Sequence, residues 1–451
     1  MDVQFDWGAR LATLGYRHTF GPTLVGEFRA AATQFLGTFA AAETEWDNQL
    51  QRERDEFSPI LSARTEARDL LAAADLTWYR RTHRVRTGVQ FDAYRFAHRV
   101  EDFTSDQEAF GPLVSPFRRT DEPRTFAAYV DDEWSPTSSL DIRAGLRALH
   151  AGAWGTEWMP RVGARWALSP ELALSFGAGR YAQIIQSLRN EESLGASLLA
   201  YEFLAGSPQA AGLLTGEDVV LGAEWARGAT SVRLDAYAKR LHNLPLPPTP
   251  DDILEAPVVV SEGFKNGEGS AQGLELLARH SRGTAQFSLA YALAFADREV
   301  DGERFAPRFE RRHTVDALAL LPLGARGQFS ARLAAATGQP YTPVLGVGQG
   351  YRYDPTGRRF VYVGDDVVLL GEHNAGRLPG YLRLDVGARR TYEKRWFGGN
   401  VTLTPYLQIL NVLNTRNVLF AEPQASGYGP AVLNYAPQLP FFPTFGVEWK
   451  F

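Results

Sequence analysis

Between His83 and Phe96, Val85, Thr87, Val89, Phe91 and Ala93 occupy alternate positions, and Arg84, Arg86, Gly88, Gln90 and Asp92 fill the places between them. Successive side chains of an extended chain point to opposite faces, so this spacing predicts a strand with one apolar face and one polar or small face. Leu140, Ile142, Ala144, Leu146 and Ala148 alternate in the same way with Asp141, Arg143, Gly145 and Arg147. So do Val162, Ala164, Trp166 and Leu168 with Arg161, Gly163 and Arg165, and Val232, Leu234, Ala236 and Ala238 with Arg233, Asp235, Tyr237 and Lys239. Leu382, Leu384, Val386 and Ala388 against Arg383, Asp385, Gly387 and Arg389 carry the pattern almost to the end of the chain.

The connections alternate in length. Tight turns are predicted at Gly21-Pro22, Thr82-His83, Ser135-Pro136-Thr137-Ser138, Ser169-Pro170-Glu171, Arg227-Gly228-Ala229, Ser281-Arg282-Gly283 and Leu323-Gly324-Ala325. Long segments rich in Gly, Pro, Asp and Glu lie between the hairpins, over 43–65, 99–122, 185–214, 244–268, 296–307, 338–377 and 415–440. Each hairpin therefore has a short-turn end and a long-loop end. That rhythm predicts an all-β chain folded as a transmembrane antiparallel β-barrel, with short periplasmic turns and long extracellular loops. The pattern holds about 17 strands, the last over 440–451. A soluble β-sandwich or propeller also alternates. Here the polar face sets arginines beside Asp and Glu among many glycines, which suits a wide aqueous or plugged lumen better than a packed interior. Trp78, Trp134, Trp166, Trp225 and Trp449 fall near strand ends, where an aromatic girdle is expected.

Composition alone points the other way. The 451 residues carry a net charge of −5, 22% charged residues and a mean hydropathy of −0.24, with no uninterrupted apolar run long enough for a transmembrane helix. Strand alternation explains the discrepancy, because half of every barrel strand faces water and dilutes the mean. An excess of Asp and Glu over Lys and Arg argues against a nucleic-acid partner. The absence of cysteine removes disulfides, thiolate metal sites and cysteine nucleophiles.

Candidate chemistry is sparse. The eight histidines show no metal-binding spacing, and no nucleophile elbow, P-loop or dinucleotide motif occurs, so neither a cofactor nor a catalytic residue is predicted. Gly346-Val-Gly-Gln-Gly350 has no helix after it and makes a poor phosphate cradle. Asp131-Asp132-Glu133, Asp251-Asp252 and Asp365-Asp366 are oxygen-rich enough for calcium. Asp131 and Glu133 better suit a lumen wall, as partners of Arg143 and Arg147 on the next strand. Arg311-Arg312-His313 fits a barrel rim. Residues 186–204 could form a short amphipathic loop helix, and Tyr351, Tyr353, Tyr362, Tyr428 and Tyr435 could stack on a flat ligand.

Several motifs then give the chain a family likeness. Asn374-Ala-Gly-Arg-Leu-Pro-Gly-Tyr-Leu-Arg-Leu-Asp385 and Leu410-Asn-Val-Leu-Asn-Thr-Arg-Asn417 resemble late elements of the TonB-dependent outer-membrane receptors. Asn266-Gly-Glu-Gly-Ser-Ala-Gln-Gly-Leu-Glu275, Arg311-Arg-His313 and Gly338-Gln-Pro-Tyr-Thr-Pro343 precede them in the family's order. The resemblance singles out Asn374, Arg377, Leu378, Pro379, Tyr381, Arg383, Asp385, Asn411, Asn414 and Asn417. It also identifies Gly446, Trp449 and Phe451, with Phe445 and Val447, as similar to the C-terminal signal read by the barrel-assembly machinery.

The resemblance implies an outer-membrane barrel of about 22 strands around an N-terminal plug. Neither a plug, a TonB-binding box nor a signal peptide is visible in the sequence, and the first and last strands run in the same direction. We therefore expect one barrel domain over 1–451 that lacks the plug and the first strands, with Met1 lying inside a longer protein. The implied function is TonB-dependent uptake of a scarce, bulky solute of the siderophore, vitamin or oligosaccharide class; a plugless porin or adhesin-like barrel is the alternative. Arg84, Arg86, Asp92, Arg143, Arg147, Arg161, Glu224, Arg233, Asp235, Glu275, Arg383 and Asp385 would then line the lumen and hold the plug. Outer-membrane lipid, the assembly machinery, the TonB system and a small-molecule solute are the expected partners.

Overall fold

The computed structural model describes residues 2–43, 46–47, 52–53, 58–102, 117–188, 204–206, 212–246, 264–396, 399–424, 429–430 and 432–450. Nearly all of them are extended, and a three-residue 3-10 turn, Gly152–Trp154, is the single helical element among them.

One large antiparallel sheet forms the wall. In chain order its strands are β1 (Asp2–Gly21), β2 (Leu24–Glu43), β3 (Ser58–Arg80), β4 (His83–Asp102) and β5 (Arg124–Thr137, with Phe117–Asp121 extending it upward). Next come β6 (Leu140–His150), β7 (Thr156–Ala167), β8 (Leu172–Gln183), β9 (Leu214–Arg227), β10 (Thr230–Leu246) and β11 (Lys265–Arg282). The series closes with β12 (Ala285–Val300), β13 (His313–Leu323), β14 (Gly327–Ala336), β15 (Tyr381–Arg390, continued by Tyr392–Trp396), β16 (Gly399–Leu410) and β17 (Phe442–Lys450). Each pairs with the next, so the expected strand number and neighbour order hold. Among the described residues no ladder joins β1 to β17. Both run towards the short-turn end.

The short turns fall where turn chemistry placed them, with Gly228, Gly283 and Gly324 at positive φ. The long-loop end differs from expectation in two ways. Between β6 and β7 the connection is only the stretch around Gly152–Trp154. Elsewhere strands run well into segments read as loops, as in β3 from Ser58 and β4 to Asp102. Their outward positions there carry Arg64, Glu66, Arg68, Arg95 and Arg99, so the apolar period stops while the backbone ladder continues. The 338–377 segment likewise contains a ribbon, Val344–Asp354 paired with Arg359–Leu370, and Gly346 to Gly350 lie within its first strand. Most of 186–204 lies outside the described residues, as do Asp251, Asp252 and Tyr428.

Side-chain exposure assigns the faces. Across β1 to β5 one row reads Leu14, Ala30, Ala72, Phe91 and Phe126, and across β8 to β12 another reads Phe176, Leu221, Ala236, Leu274 and Leu293. These outward residues are largely exposed, with Phe91 at 44% and Leu221 at 55%. A continuous exposed apolar surface of this kind belongs in lipid. Inward residues near the loop end, including Phe96, His98 and Val100, are buried. The loops pack on them there: His98 Nε2 lies 2.6 Å from the Leu204 carbonyl oxygen.

Candidate functional site

The inner wall over β2 to β7 is built around buried Asp75. Its Oδ2 binds Arg29 Nη2 at 2.9 Å and Arg86 Nη2 at 3.3 Å, and its Oδ1 accepts the Tyr129 hydroxyl. Tyr129 stands two strands away, with Gly88 between them in the ladder. A Cβ at Gly88 would lie 2.4 Å from Asp75 Oδ1 and 2.8 Å from the Tyr129 ring, so the bare backbone is what lets this bond cross β4. Gly145 does the same for Asp131, whose Oδ1 would lie 1.8 Å from a Cβ there. Wall glycines thus make room for charged side chains to lie flat across a neighbouring strand.

The other wall residues fall into small networks. Glu133 pairs with Arg84 and with Arg143, the latter at 3.1 Å. Arg147 does not pair with the acidic run. It donates to Gln90 Oε1 at 3.1 Å and its guanidinium lies 5.9 Å from the Tyr129 ring centre, because Tyr129 and not Asp131 is its cross-strand neighbour. Asp92 is buried and accepts from Gln90 Nε2 and Thr125 Oγ1. Arg161 lies over the Tyr181 ring at 4.9 Å. Further round, Glu224 meets Arg165 at 3.3 Å and Arg233 at 3.5 Å, Arg233 holds Asp235 at 2.6 Å, and Glu275 stands opposite Asp235. Arg383 and Asp385 pair at 2.7 Å. The structure thus puts the sequence-selected charges on one face, where Arg233 pairs with Glu224 and Asp235, and Arg383 with Asp385, while Arg84 and Arg143 find their carboxylate in Glu133 and Arg86 in Asp75.

The motif residues gather at the loop end. Asn374, at φ 53°, donates its backbone N–H to the Thr342 hydroxyl oxygen (3.0 Å) and its side-chain amide to the Ala306 carbonyl (3.0 Å). Arg377 pairs with Glu310, whose side chain is only 2% exposed, and Arg312 Nε stands 3.7 Å from the other carboxylate oxygen. Glu310 escaped the sequence reading. The signal was its place directly before Arg311-Arg312-His313, where a lone acid beside three basic side chains marks an ion pair. Arg311 lies over the Tyr381 ring at 5.7 Å, and burial pushes its guanidinium below the ordinary arginine value. Leu378 is buried, its N–H bonds the Gln339 carbonyl at 2.9 Å, and Pro379 carries the chain on towards β15. A Cβ on Gly338 would lie 1.6 Å from the Leu378 carbonyl oxygen, so those two loop strands touch backbone to backbone. Three connections, over 301–312, 337–343 and 371–380, are thereby tied at one point.

Three asparagines tie down the last connection. Asn411 is fully buried at φ 50°. Its N–H bonds Asp385 Oδ1 (2.8 Å), its amide donates to the Thr415 (2.9 Å) and Leu439 (3.0 Å) carbonyls, and its Oδ1 accepts the Thr415 N–H (3.1 Å). Asn417 exchanges two 2.9 Å bonds with the Leu382 backbone, standing in for a ladder partner. Asn414, at φ 49°, accepts the Phe441 N–H at 3.1 Å where β17 begins. Asparagine suits these places because it tolerates the left-handed conformation and its short amide mimics a peptide group.

In β17, Phe445, Val447 and Trp449 share the outward face, and Phe445 is 84% exposed. Gly446 lies beneath the Tyr406 ring, where a Cβ would stand 2.6 Å from the hydroxyl. Phe451 lies outside the described residues.

Residues 2–412 match the model of the TonB dependent receptor-like β-barrel. The chain belongs to the TonB-dependent receptor β-barrel family. This is a family of transport receptors of the bacterial outer membrane, and the receptor barrel described here takes its place there. No curated protein matches it. Among solved structures it resembles the ferripyoverdine receptor of the Pseudomonas aeruginosa outer membrane (14% identity, TM-score 0.57), covering 97% of this chain and 56% of that one. It also resembles the ferric-catecholate import receptor Fiu from K12 E. coli (12%, TM-score 0.58), covering 99% of this chain and 64% of the other. The ferric yersiniabactin uptake receptor FyuA from Yersinia pestis is similar again (14%, TM-score 0.56), with 99% and 61% covered. At such identities the likeness shows the fold alone. The receptor barrel spans a little over half to under two thirds of these chains.

Proposed function

We infer that the receptor barrel serves TonB-dependent uptake of a scarce, bulky solute of the siderophore class across the outer membrane. The observation that carries this reading is the charged inner wall. Asp75, Glu133, Arg143, Glu224, Arg233 and Asp385 sit on the inner face in bonded networks, in a sheet too wide for side chains from opposite walls to fill. Such a wall holds a hydrated plug by hydrogen bonds and ion pairs, and exchanging those partners lets the plug shift when the inner-membrane TonB system pulls it. The loops make the capture surface. On the Val344–Asp354 ribbon, Tyr351, Tyr353, Phe360 and Tyr362 share one face and are all exposed, offering flat ring area to an aromatic chelate. The iron-chelate receptors among its structural neighbours favour the siderophore class over vitamins and oligosaccharides.

Iron-starved cells expressing the receptor, supplied with a panel of radio-iron chelates, test this. Uptake of at least one chelate is expected to fall to the receptor-free background when the TonB system is deleted. Uptake that continues unchanged without TonB would leave a passive barrel as the function.

A further inference from the structure

We propose that the inner wall over β4 to β7 carries a binding site for an oxyanion group, carboxylate or phosphate, and, resting on the uptake reading above, that this group belongs to the transported solute. Other wall arginines are neutralised where they stand: Arg84 and Arg143 by Glu133, Arg165 and Arg233 by Glu224, Arg332 by Asp316 and Arg383 by Asp385. Arg147 and Arg161 make no ion pair among the described residues, and uncharged groups hold both in place.

The support of Arg147 is built in two steps. Its Nη2 donates to Gln90 Oε1 at 3.1 Å. Gln90 is itself oriented, because its Nε2 donates to both oxygens of buried Asp92, at 3.0 and 2.9 Å, and Asp92 also takes the Thr125 hydroxyl at 3.2 Å. An amide oxygen, not a carboxylate, is thereby turned towards the guanidinium. Tyr129 completes the setting, with the Arg86 guanidinium 5.7 Å and that of Arg147 5.9 Å from its ring centre. Arg161 rests on the Tyr181 ring instead. Ring faces and amide oxygens fix a guanidinium without cancelling its charge, which suits an arginine kept for an outside anion.

The charge balance agrees. Four arginines, Arg29, Arg86, Arg147 and Arg161, line one cavity of about 210 Å³ against two carboxylates, Asp75 and Asp131. Asp75 is 3% exposed and already bound by Arg29 and Arg86, whose own side chains are 54% and 47% exposed. The lumen therefore meets guanidiniums with a carboxylate beneath them. Arginine forks bind carboxylate and phosphate oxygens in pairs. Sites for whole small molecules usually hold roughly 300–1,000 Å³, so this cavity takes one group of a larger solute. Its depth fits a solute in passage. Arg147 and Arg161 adjoin Leu146 and Val162, which are exposed on the lipid face, so the cavity opens into the lumen within the height of the bilayer.

Calorimetry on the purified receptor in non-ionic detergent, titrated with citrate at constant ionic strength, tests the site. Saturable binding is expected, at least roughly tenfold weaker in Arg147→Gln/Arg161→Gln. Lys239→Gln/Arg279→Gln, which removes two charges from the inner face of β10 and β11, should bind as the wild type does. Inorganic phosphate should displace the citrate, and chloride at the same ionic strength should not. Heat-modifiable migration on gels checks that each variant is folded. Should Arg147→Gln/Arg161→Gln not fold, Arg161→Gln alone is expected to weaken binding roughly threefold or more. Absence of saturable binding, wild-type affinity in Arg147→Gln/Arg161→Gln, an equal loss in both double variants or displacement by chloride would overturn the site. The titrations involve neither cells nor TonB, so their failure leaves the uptake reading standing. In the chelate panel, import confined to chelates without net negative charge would overturn the assignment of the group to the solute.

Discussion

Asn411→Ala is expected to lower the unfolding free energy of the barrel by roughly 2–4 kcal/mol. Two effects add. Alanine is strained at the φ of 50° that Asn411 adopts. It also leaves the Thr415 and Leu439 carbonyls and the Thr415 N–H without the partners the amide provides inside a fully buried site. Because the Asn411 backbone also bonds Asp385, the disturbance passes into β15. Urea unfolding in lipid vesicles, followed by tryptophan fluorescence, measures the change in midpoint. Leu413→Ala, at an exposed position in the same turn, should move it by less than about 0.5 kcal/mol. Equal midpoints for both variants would mean that the asparagine latch contributes nothing to the fold.

Leu221→Arg and Val220→Arg, one residue apart, are expected to behave oppositely. Leu221 faces outward midway between Trp225 at the turn end and Glu217 at the rim, so an arginine there meets the middle of the bilayer. A cation at that depth costs roughly 2–4 kcal/mol in a β-barrel. Val220 faces the lumen opposite Gly177, where a Cβ would meet nothing within 4 Å, and its arginine stays in water. That variant should unfold within about 1 kcal/mol of the wild type. Assembly into outer membranes, scored by heat-modifiable migration, should fail or weaken only for Leu221→Arg.

The sequence made the strands legible wherever lipid faced one side. Val85 to Ala93 alternates because the bilayer demands apolar groups at every second place, and the structure keeps that register. The alternation disappears above the bilayer, which is why Leu61 to Thr65 and Arg99 to Asp102 read as loop although they pair residue for residue. The wall networks were legible in type only. Asp75 and Arg29 are 46 positions apart, and their contact depends on the register of β2 against β3, which no local pattern encodes. The motif asparagines could be found by resemblance, but their work as substitutes for peptide groups appears only when Leu382, Thr415 and Leu439 are in place. Glu310 needed both Arg377 and the rim arginines, which come from two different connections.

The central claim is that one face of each strand meets lipid and the other meets water. The native chain has no cysteine, so single cysteines can be placed without background. Cysteines at 84, 86 and 90 on β4, and at 85, 89 and 91 beside them, should be probed in whole outer membranes with a membrane-impermeant maleimide and, after attaching a fluorophore, with spin-labelled lipid quenchers. The expected result is strict alternation: labelling from water at 84, 86 and 90, and quenching from lipid at 85, 89 and 91. Uniform labelling of all six positions, or no quenching at any, would contradict the barrel reading.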